Sequence, residues 1–191
     1  MQTHPQPQKS RTLLAFCFIF SAVIVLDQAT KFWAEKSFLL FSSPNEILQY
    51  SAKSLPIFRI GTEHWLDFSM TYVRNTGAAW GLMGNLPENI RPYFFYIITA
   101  VAMLFVVYLF VKTEPEKKLS RMAILLILAG ATGNYIDRLW LHYVIDWIHF
   151  SWKLPFWQYD YPVFNIADSA VTCGVILLIL DSFFQPKQQD K

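Results

Sequence analysis

Four apolar runs constrain the fold of this 191-residue chain more than any other feature. They cover about residues 13–33, 92–111, 120–139 and 163–184. A helix needs roughly 20 predominantly apolar residues to cross a bilayer, which these runs supply. Only 16% of all residues are charged, against about 25% in soluble domains. We therefore predict an all-α membrane protein with four transmembrane helices, in which residues 1–191 form a single integral membrane domain.

The positions of the basic residues predict the orientation of these helices. The flanks at residues 1–12, 112–121 and 185–191 hold half of the Lys and Arg residues of the chain. The positive-inside rule places such flanks in the cytoplasm, so both termini are expected there, the first as a disordered tail of residues 1–12. All seven tryptophans then fall on or near the outer side. Residues 140–162, rich in Trp and Tyr, are expected to form an interfacial segment between helices three and four.

The longest segment outside the spans, residues 34–91, is expected to be extracytoplasmic and contains a strand pattern. From residue 66 to residue 72, apolar and polar side chains alternate, which is typical of a half-buried strand. Residues 57–60, which precede Gly61, are a plausible partner strand. We therefore predict a small extracytoplasmic β-sheet, or cradle, in this region.

Polar side chains are concentrated from residue 130 to residue 168, where the third apolar run ends and the fourth begins. Carboxylates and amides at the mouth of apolar helices are costly to place near lipid, so they form a candidate functional site by default. The cluster comprises Asn134, Asp137, Arg138, Asp146, Asp160, Asn165 and Asp168.

Two of these carboxylates have surroundings that suit acid–base chemistry. Asp146 stands alone in the apolar stretch VIDWIHF, where desolvation would raise its pKa, unless its side chain points to water. Asn165 can cap the fourth helix, and Asp168 then lies in its first turn, where the helix dipole favours the ionised form. If Asp146 and Asp168 face each other, the pair shares a proton and could activate water as an aspartic protease does.

Other polar residues have a structural interpretation. Asn134, Asp137 and Arg138 share one helix face, with Gly130 one turn earlier, so they could form a buried network that locks the third helix to its neighbours. On the first helix, residues 27 and 31 are an Asp and a Lys on one face.

Several functional classes are disfavoured by the sequence. It has no HExxH, no GxSxG and no glycine-rich phosphate loop, and its cysteines and histidines lack metal-ligand spacing. The net charge of +2 is too small to indicate a nucleic-acid partner. No metal or cofactor is expected. A membrane protease, a proton or cation relay and a structural scaffold all remain open at this point.

Five motifs, in order along the chain, resemble those of the bacterial lipoprotein signal peptidases, also called type II or prolipoprotein signal peptidases. They are DQATK (27–31), YVRNTGAAWG (72–81), GNYIDR (133–138), VIDW (144–147) and FNIADS (164–169). The resemblance covers nearly everything between about residues 13 and 184.

This resemblance implies an aspartic endopeptidase of the bacterial cytoplasmic (inner) membrane, with its active site near the outer leaflet. Its substrates would be diacylglyceryl-modified prolipoproteins, held in membrane lipid and cleaved just before the lipobox cysteine. The resemblance further implies activity without a metal or cofactor and inhibition by the cyclic peptide globomycin. A monomer is expected.

The resemblance also assigns roles to individual residues. Asp146 and Asp168 match the catalytic dyad, and Asp137 matches a residue that supports the site. Asp27 and Lys31 match a structural or site-shaping pair. The positions that match the lining of the substrate or inhibitor site are Asn75, Gly130, Asn134, Arg138, Asn165 and Ala167.

Overall fold

The computed structural model describes residues 7–41, 54–60, 66–77, 87 and 90–184. Within these ranges the chain forms four helices and four strands. The helices are α1 (Pro7–Phe41), α2 (Arg91–Lys112), α3 (Lys118–Leu141) and α4 (Ile166–Phe184). The strands are β1 (Ser54–Ile60), β2 (Leu66–Asn75), β3 (Val144–Leu154) and β4 (Trp157–Asp160).

The prediction of four membrane-spanning helices is confirmed. Each helix contains a segment long and apolar enough to cross a membrane, and these segments are Thr12–Ser37, Tyr93–Lys112, Lys118–Leu141 and Ile166–Phe184. Among them α3 is central, because it packs against α1, α2 and α4.

The boundaries of α1 differ from the predicted ones. The helix begins at Pro7, so the second half of the expected disordered tail is helical, and residues 1–6 lie outside the described residues. Proline is well tolerated at the first helical position, where its missing N–H is not needed. At the other end α1 continues to Phe41 instead of stopping near residue 33, because residues 34–41 are mostly good helix formers and include neither Gly nor Pro.

The predicted small sheet is present and is larger than expected. It is antiparallel with the strand order β1-β2-β3-β4. The expected interfacial segment, residues 140–162, contains the strands β3 and β4, which were not predicted. The physical reason is the alternation of apolar and polar side chains from residue 148 to residue 154, which suits a strand with two different faces.

Small residues allow α3 and α4 to approach each other closely along their length. A Cβ atom on Gly130 would lie 2.2 Å from the carbonyl oxygen of Ala167, and one on Gly174 would lie 2.6 Å from that of Ala123. Such small-residue contacts are the usual means of helix association in membranes. They bring the polar end of α3 against the first turn of α4.

The sheet is attached over the C-terminal ends of α1 and α3. Strand β3 packs against both helices and β2 packs against α1. A buried cluster of Ala34, Met70, Tyr72 and Ile145 joins the sheet to α1. This attachment places the first residues of β3 beside the beginning of α4.

We expect Gly174→Ala to destabilise the helix pair, because the new methyl group would press on backbone of α3. Overpacking of this kind costs about 1–3 kcal/mol. The change should appear as a lower Tm for unfolding of the detergent-solubilised protein. Gly77→Ala is the control, since a Cβ atom there meets nothing within 4 Å. An equal Tm for both variants would contradict this account of the α3–α4 contact.

Candidate active site

Asn165 connects the two carboxylates that the sequence singles out. Its side-chain Nδ2 donates a hydrogen bond to Oδ1 of Asp146 at 2.7 Å, and its backbone N–H donates to Oδ2 of Asp168 at 3.2 Å. Its Oδ1 accepts from the backbone N–H of Asp168 at 2.9 Å, so the predicted helix cap is confirmed. The structure therefore brings Asp146, from β3, and Asp168, from α4, to opposite sides of one buried asparagine.

Each carboxylate has a second amide donor from another element. Asn75, at the end of β2, donates from Nδ2 to Oδ2 of Asp146 at 2.9 Å. Asn134, on α3, donates from Nδ2 to Oδ1 of Asp168 at 2.7 Å, and its Oδ1 accepts from Nδ2 of Asn165 at 3.0 Å. Three asparagines thus fix the orientation of both carboxylates, and they come from three separate segments of the chain.

A buried ion cluster lies beneath this network. Lys31 Nζ is 2.8 Å from Oδ2 of Asp27 and 2.9 Å from Oδ2 of Asp137, with the lysine side chain 2% exposed. It also donates to Oδ1 of Asn134 at 2.9 Å. One cation between two carboxylates leaves a single excess negative charge, which lowers the cost of burial relative to unpaired acids.

The ion cluster also holds the backbone on which the two aspartates stand. Oδ1 of Asp27 accepts the N–H of Ala167 at 2.9 Å, and Oδ2 of Asp137 accepts the N–H of Ile145 at 3.1 Å. Each of these amides belongs to the residue immediately before one of the two site aspartates. The cluster therefore sets the positions of Asp146 and Asp168 without contacting their carboxylates.

Gln28 belongs to this cluster, although sequence reasoning did not select it. Its Nε2 donates to Oδ1 of Asp137 at 2.9 Å and to the carbonyl oxygen of Gly133 at 3.2 Å. The available signal was a polar side chain inside an apolar run, next to Asp27 in the DQATK motif. Nothing in the spacing distinguished Gln28 from a residue that faces lipid.

The remaining predicted site residues lie at the edges of the site. Arg138 donates from Nη1 to the carbonyl oxygen of Asn134 at 3.2 Å, and its guanidinium lies 5.9 Å from the centre of the Phe95 ring. It lines a small cleft together with Asn75. Gly130 and Ala167 lie in the α3–α4 contact, where they permit close approach of the two helices.

The surroundings of Asp146 favour its protonated form. Burial and then the charge of Asp168 raise the pKa of Asp146 from 3.8 to about 7, although hydrogen bonds from Asn75 and Asn165 act in the opposite direction. A carboxyl group with this pKa can hold a proton near neutral pH. Within the ranges described, no group of three or more His, Cys, Asp or Glu side chains is arranged to hold a metal ion.

We expect Lys31→Met to destabilise the protein strongly, because it leaves Asp27 and Asp137 buried together without a cation. Removing one partner of a buried ion pair costs about 3–5 kcal/mol. Lys36→Met is the matched control on the same helix, since Lys36 is exposed. The measurement is the Tm in detergent micelles. Equal values for the two variants would show that the ion cluster does not support the fold.

Comparisons with known proteins identify the family of this chain. The sequence profile of the family described as Signal peptidase (SPase) II matches residues 19–184. The chain is 34% identical to the lipoprotein signal peptidase of Pasteurella multocida (strain Pm70), over 95% of this chain and 98% of that protein. It is 36% identical to the lipoprotein signal peptidase of Geobacter metallireducens, over 92% of this chain and 94% of that protein.

Solved structures show the same fold. A bacterial membrane enzyme solved by the in meso method at 1.9 Å resolution has a TM-score of 0.63 and 32% sequence identity. The alignment covers 90% of this chain and 94% of that enzyme. Together with four spanning helices and the buried polar site at their ends, these matches show that the chain belongs to the signal peptidase II family and is a multi-pass peptidase of the inner membrane.

Proposed function

We propose that Asp146 and Asp168 are the catalytic pair of an aspartic endopeptidase that cleaves diacylglyceryl-modified prolipoproteins just before the lipobox cysteine. The coarser activity, removal of signal peptides from prolipoproteins, follows from membership of the family. The observation that carries the proposed mechanism is the hydrogen bonding of both carboxylates to Asn165. This arrangement keeps two acids close together in a buried site, as a shared-proton mechanism requires.

The two aspartates have different roles in this mechanism. Asp146 holds the shared proton, which fits its pKa of about 7. Asp168 is then the ionised partner, because two carboxyl groups that share a proton have one ionised member. Asp168 removes a proton from water as the water oxygen attacks the scissile carbonyl carbon. Asp146 donates its proton to the carbonyl oxygen, and a neutral gem-diol forms.

Collapse of the gem-diol restores the starting state of the enzyme. Asp168 donates its newly acquired proton to the amide nitrogen as the C–N bond breaks. Asp146 accepts a proton from one gem-diol hydroxyl, which leaves a carboxylic acid and a free amine. Asn75, Asn134 and Asn165 position the carboxylates through both steps, while Asp27, Lys31 and Asp137 hold the backbone behind them.

The location of the site suits a substrate that is itself anchored in the bilayer. Trp33 and Trp140, near the ends of α1 and α3 closest to the site, are 50% and 80% exposed. Exposed tryptophans are enriched at the membrane–water interface. We place this interface at the outer leaflet, with both termini in the cytoplasm, because half of the Lys and Arg residues lie in the short flanks at the opposite ends of the helices.

We expect Asp146→Asn and Asp168→Asn to reduce cleavage of a diacylglyceryl prolipoprotein by about 10²–10⁴-fold, because each removes one proton-transfer group. Asp160→Asn is the control, as its carboxylate is 64% exposed on the sheet. The assay is electrophoretic separation of precursor and mature lipoprotein, with globomycin as an inhibitor of the parent enzyme.

Folding is checked by the Tm of each variant. Cleavage by folded Asp146→Asn protein at the parent rate would remove Asp146 from the mechanism. Ion flux in liposomes without peptide cleavage would instead favour the proton or cation relay.

Cleavage should also decline as pH rises through about 7, the pKa of the Asp146 carboxyl group. The catalytic acid is then deprotonated, so kcat falls up to about tenfold for each further pH unit. A rate that stays constant from pH 6 to pH 9, by the same electrophoretic assay, would exclude Asp146 as the acid.

The same titration should change stability with a defined sign. The folded protein holds the Asp146 proton up to about pH 7, whereas the unfolded chain loses it near 3.8. Between these values the folded state binds more protons, so the free energy of unfolding falls as pH rises. The Asp146→Asn variant has no carboxyl group at this position, so this titration does not affect its stability. The Tm of the parent relative to that variant should therefore decrease between these pH values and then remain constant.

A further inference from the structure

The four-stranded sheet has one aromatic face and one polar face. Residues directly opposite each other on paired strands share a face of the sheet. Phe58, Phe68 and Phe150 are paired in one such row, and Trp152 and Tyr159 are paired in the next. Leu154 is paired with Trp157 at the end of the sheet. We call the side that carries these residues the aromatic face.

Away from the helix bundle, the opposite side carries charged and hydroxyl-bearing residues, whereas nearer the bundle Ile145 and Trp147 on that side pack against α1. Arg59, Asp67, Ser151 and Asp160 form one continuous row across all four strands. Arg59 Nε is 2.7 Å from Oδ2 of Asp67, in an ion pair that is partly exposed. Lys153 is paired with Gln158 beside it. A sheet sorted in this way has one side suited to water and another suited to an apolar environment.

The aromatic face continues into the membrane-spanning part of the protein. Ring centres are 5.1 Å apart for Phe58 and Phe68, 4.6 Å for Phe68 and Phe150, and 6.1 Å for Phe150 and Phe164. Phe164 lies two residues before α4 begins. Since side chains alternate along β3, Asp146 is on the same face as Phe150.

The part of this face farthest from the helix bundle exposes more apolar side-chain surface than is usual for a sheet that faces water. At the tip of the β3–β4 hairpin, residues 154–157, the exposed fractions are 46% for Leu154, 100% for Phe156 and 55% for Trp157. In the described residues, β1 and β4 pack substantially only against their neighbouring strands. Contiguous exposed apolar surface of this kind marks a membrane or partner contact.

We propose that the aromatic face and the hairpin tip lie in the interfacial layer of the outer leaflet and that membrane lipid is their occupant. Trp and Tyr, of which this face has three, are the residues that concentrate at this depth. The aromatic face is continuous with Phe164 and α4, a helix apolar enough to span the membrane, and the charged face is then left to water. The proposal rests on the orientation inferred above and not on the identity of the catalytic residues.

Lipid contact at the hairpin tip has a mechanical consequence for the site. Strand β3 is bound to the helix bundle at Asp146 and would be bound to the bilayer at Leu154. A strand advances about 3.3 Å per residue, so these anchors would be roughly 26 Å apart. The strand that carries Asp146 is then held along the membrane surface, at a fixed height relative to lipid-anchored substrates.

Single-cysteine variants can test which face meets lipid. Cys17→Ser and Cys173→Ser remove the two native thiols, both exposed on spanning helices. Leu154→Cys and Phe156→Cys report on the aromatic face and tip, and Lys153→Cys and Gln158→Cys report on the polar face of the same hairpin. Each protein is labelled with the environment-sensitive fluorophore NBD. It is then reconstituted in vesicles of phosphatidylethanolamine and phosphatidylglycerol.

We expect labels at positions 154 and 156 to emit at shorter wavelength, to be quenched by lipids with a nitroxide on the acyl chain, and to be protected from aqueous iodide. Labels at positions 153 and 158 should show the reverse. Equal behaviour at positions 153 and 154 would overturn the proposal. Protection from iodide without quenching by nitroxide lipid would also overturn it, since the face would then be covered by protein, such as a second copy.

The readout separates this proposal from the proposed catalytic function. Quenching by nitroxide lipid is measured without substrate, so it does not depend on the Asp146–Asp168 mechanism. The Tm of each labelled protein shows that the sheet is folded. Lipid quenching at position 154 in a protein whose Asp146→Asn variant still cleaves would support this proposal and reject the mechanism.

Discussion

The ion cluster of Asp27, Lys31 and Asp137 is the interaction on which the rest of the site depends. A charged lysine is costly in a spanning helix, and here two carboxylates and an amide oxygen compensate it. The carboxylates in turn bind the N–H groups of Ile145 and Ala167. A single cation on α1 thereby fixes the start of β3 and the first turn of α4.

This arrangement separates the support of the site from the proposed chemistry. Asp27 and Asp137 are neutralised in part by Lys31, whereas Asp146 and Asp168 receive hydrogen bonds chiefly from neutral amides. Burial and then the charge of Asp168 raise the pKa of Asp146 to about 7, and the amides that orient this carboxylate lower the pKa without supplying a full positive charge. Three buried acids, Asp27, Asp137 and Asp146, thus lie in one region with the partly buried Asp168, and their different partners give them different properties.

Local rules predicted much of the architecture and part of the site. Helical spacing put Asp27 and Lys31 on one face, and capping preference identified Asn165. The same rules could not show that Lys31 binds Asp137, because that contact joins residues far apart in the chain. They also missed Gln28, whose partners lie on another helix. Residues 144–160 were interpreted from aromatic content, whereas their alternation was the better indicator of strands.

The residues of the site come from different helices and strands, and these emerge one after another during synthesis. This order has a biological consequence. Asp146 and the ion cluster are complete once β3 has been made, but Asp168 and Asn165 arrive only with the last span, which α3 accepts through Gly130 and Gly174. A partly inserted chain therefore lacks half of the proposed dyad. Hydrolytic capacity would appear only at the end of assembly, when the enzyme is already enclosed in its bilayer.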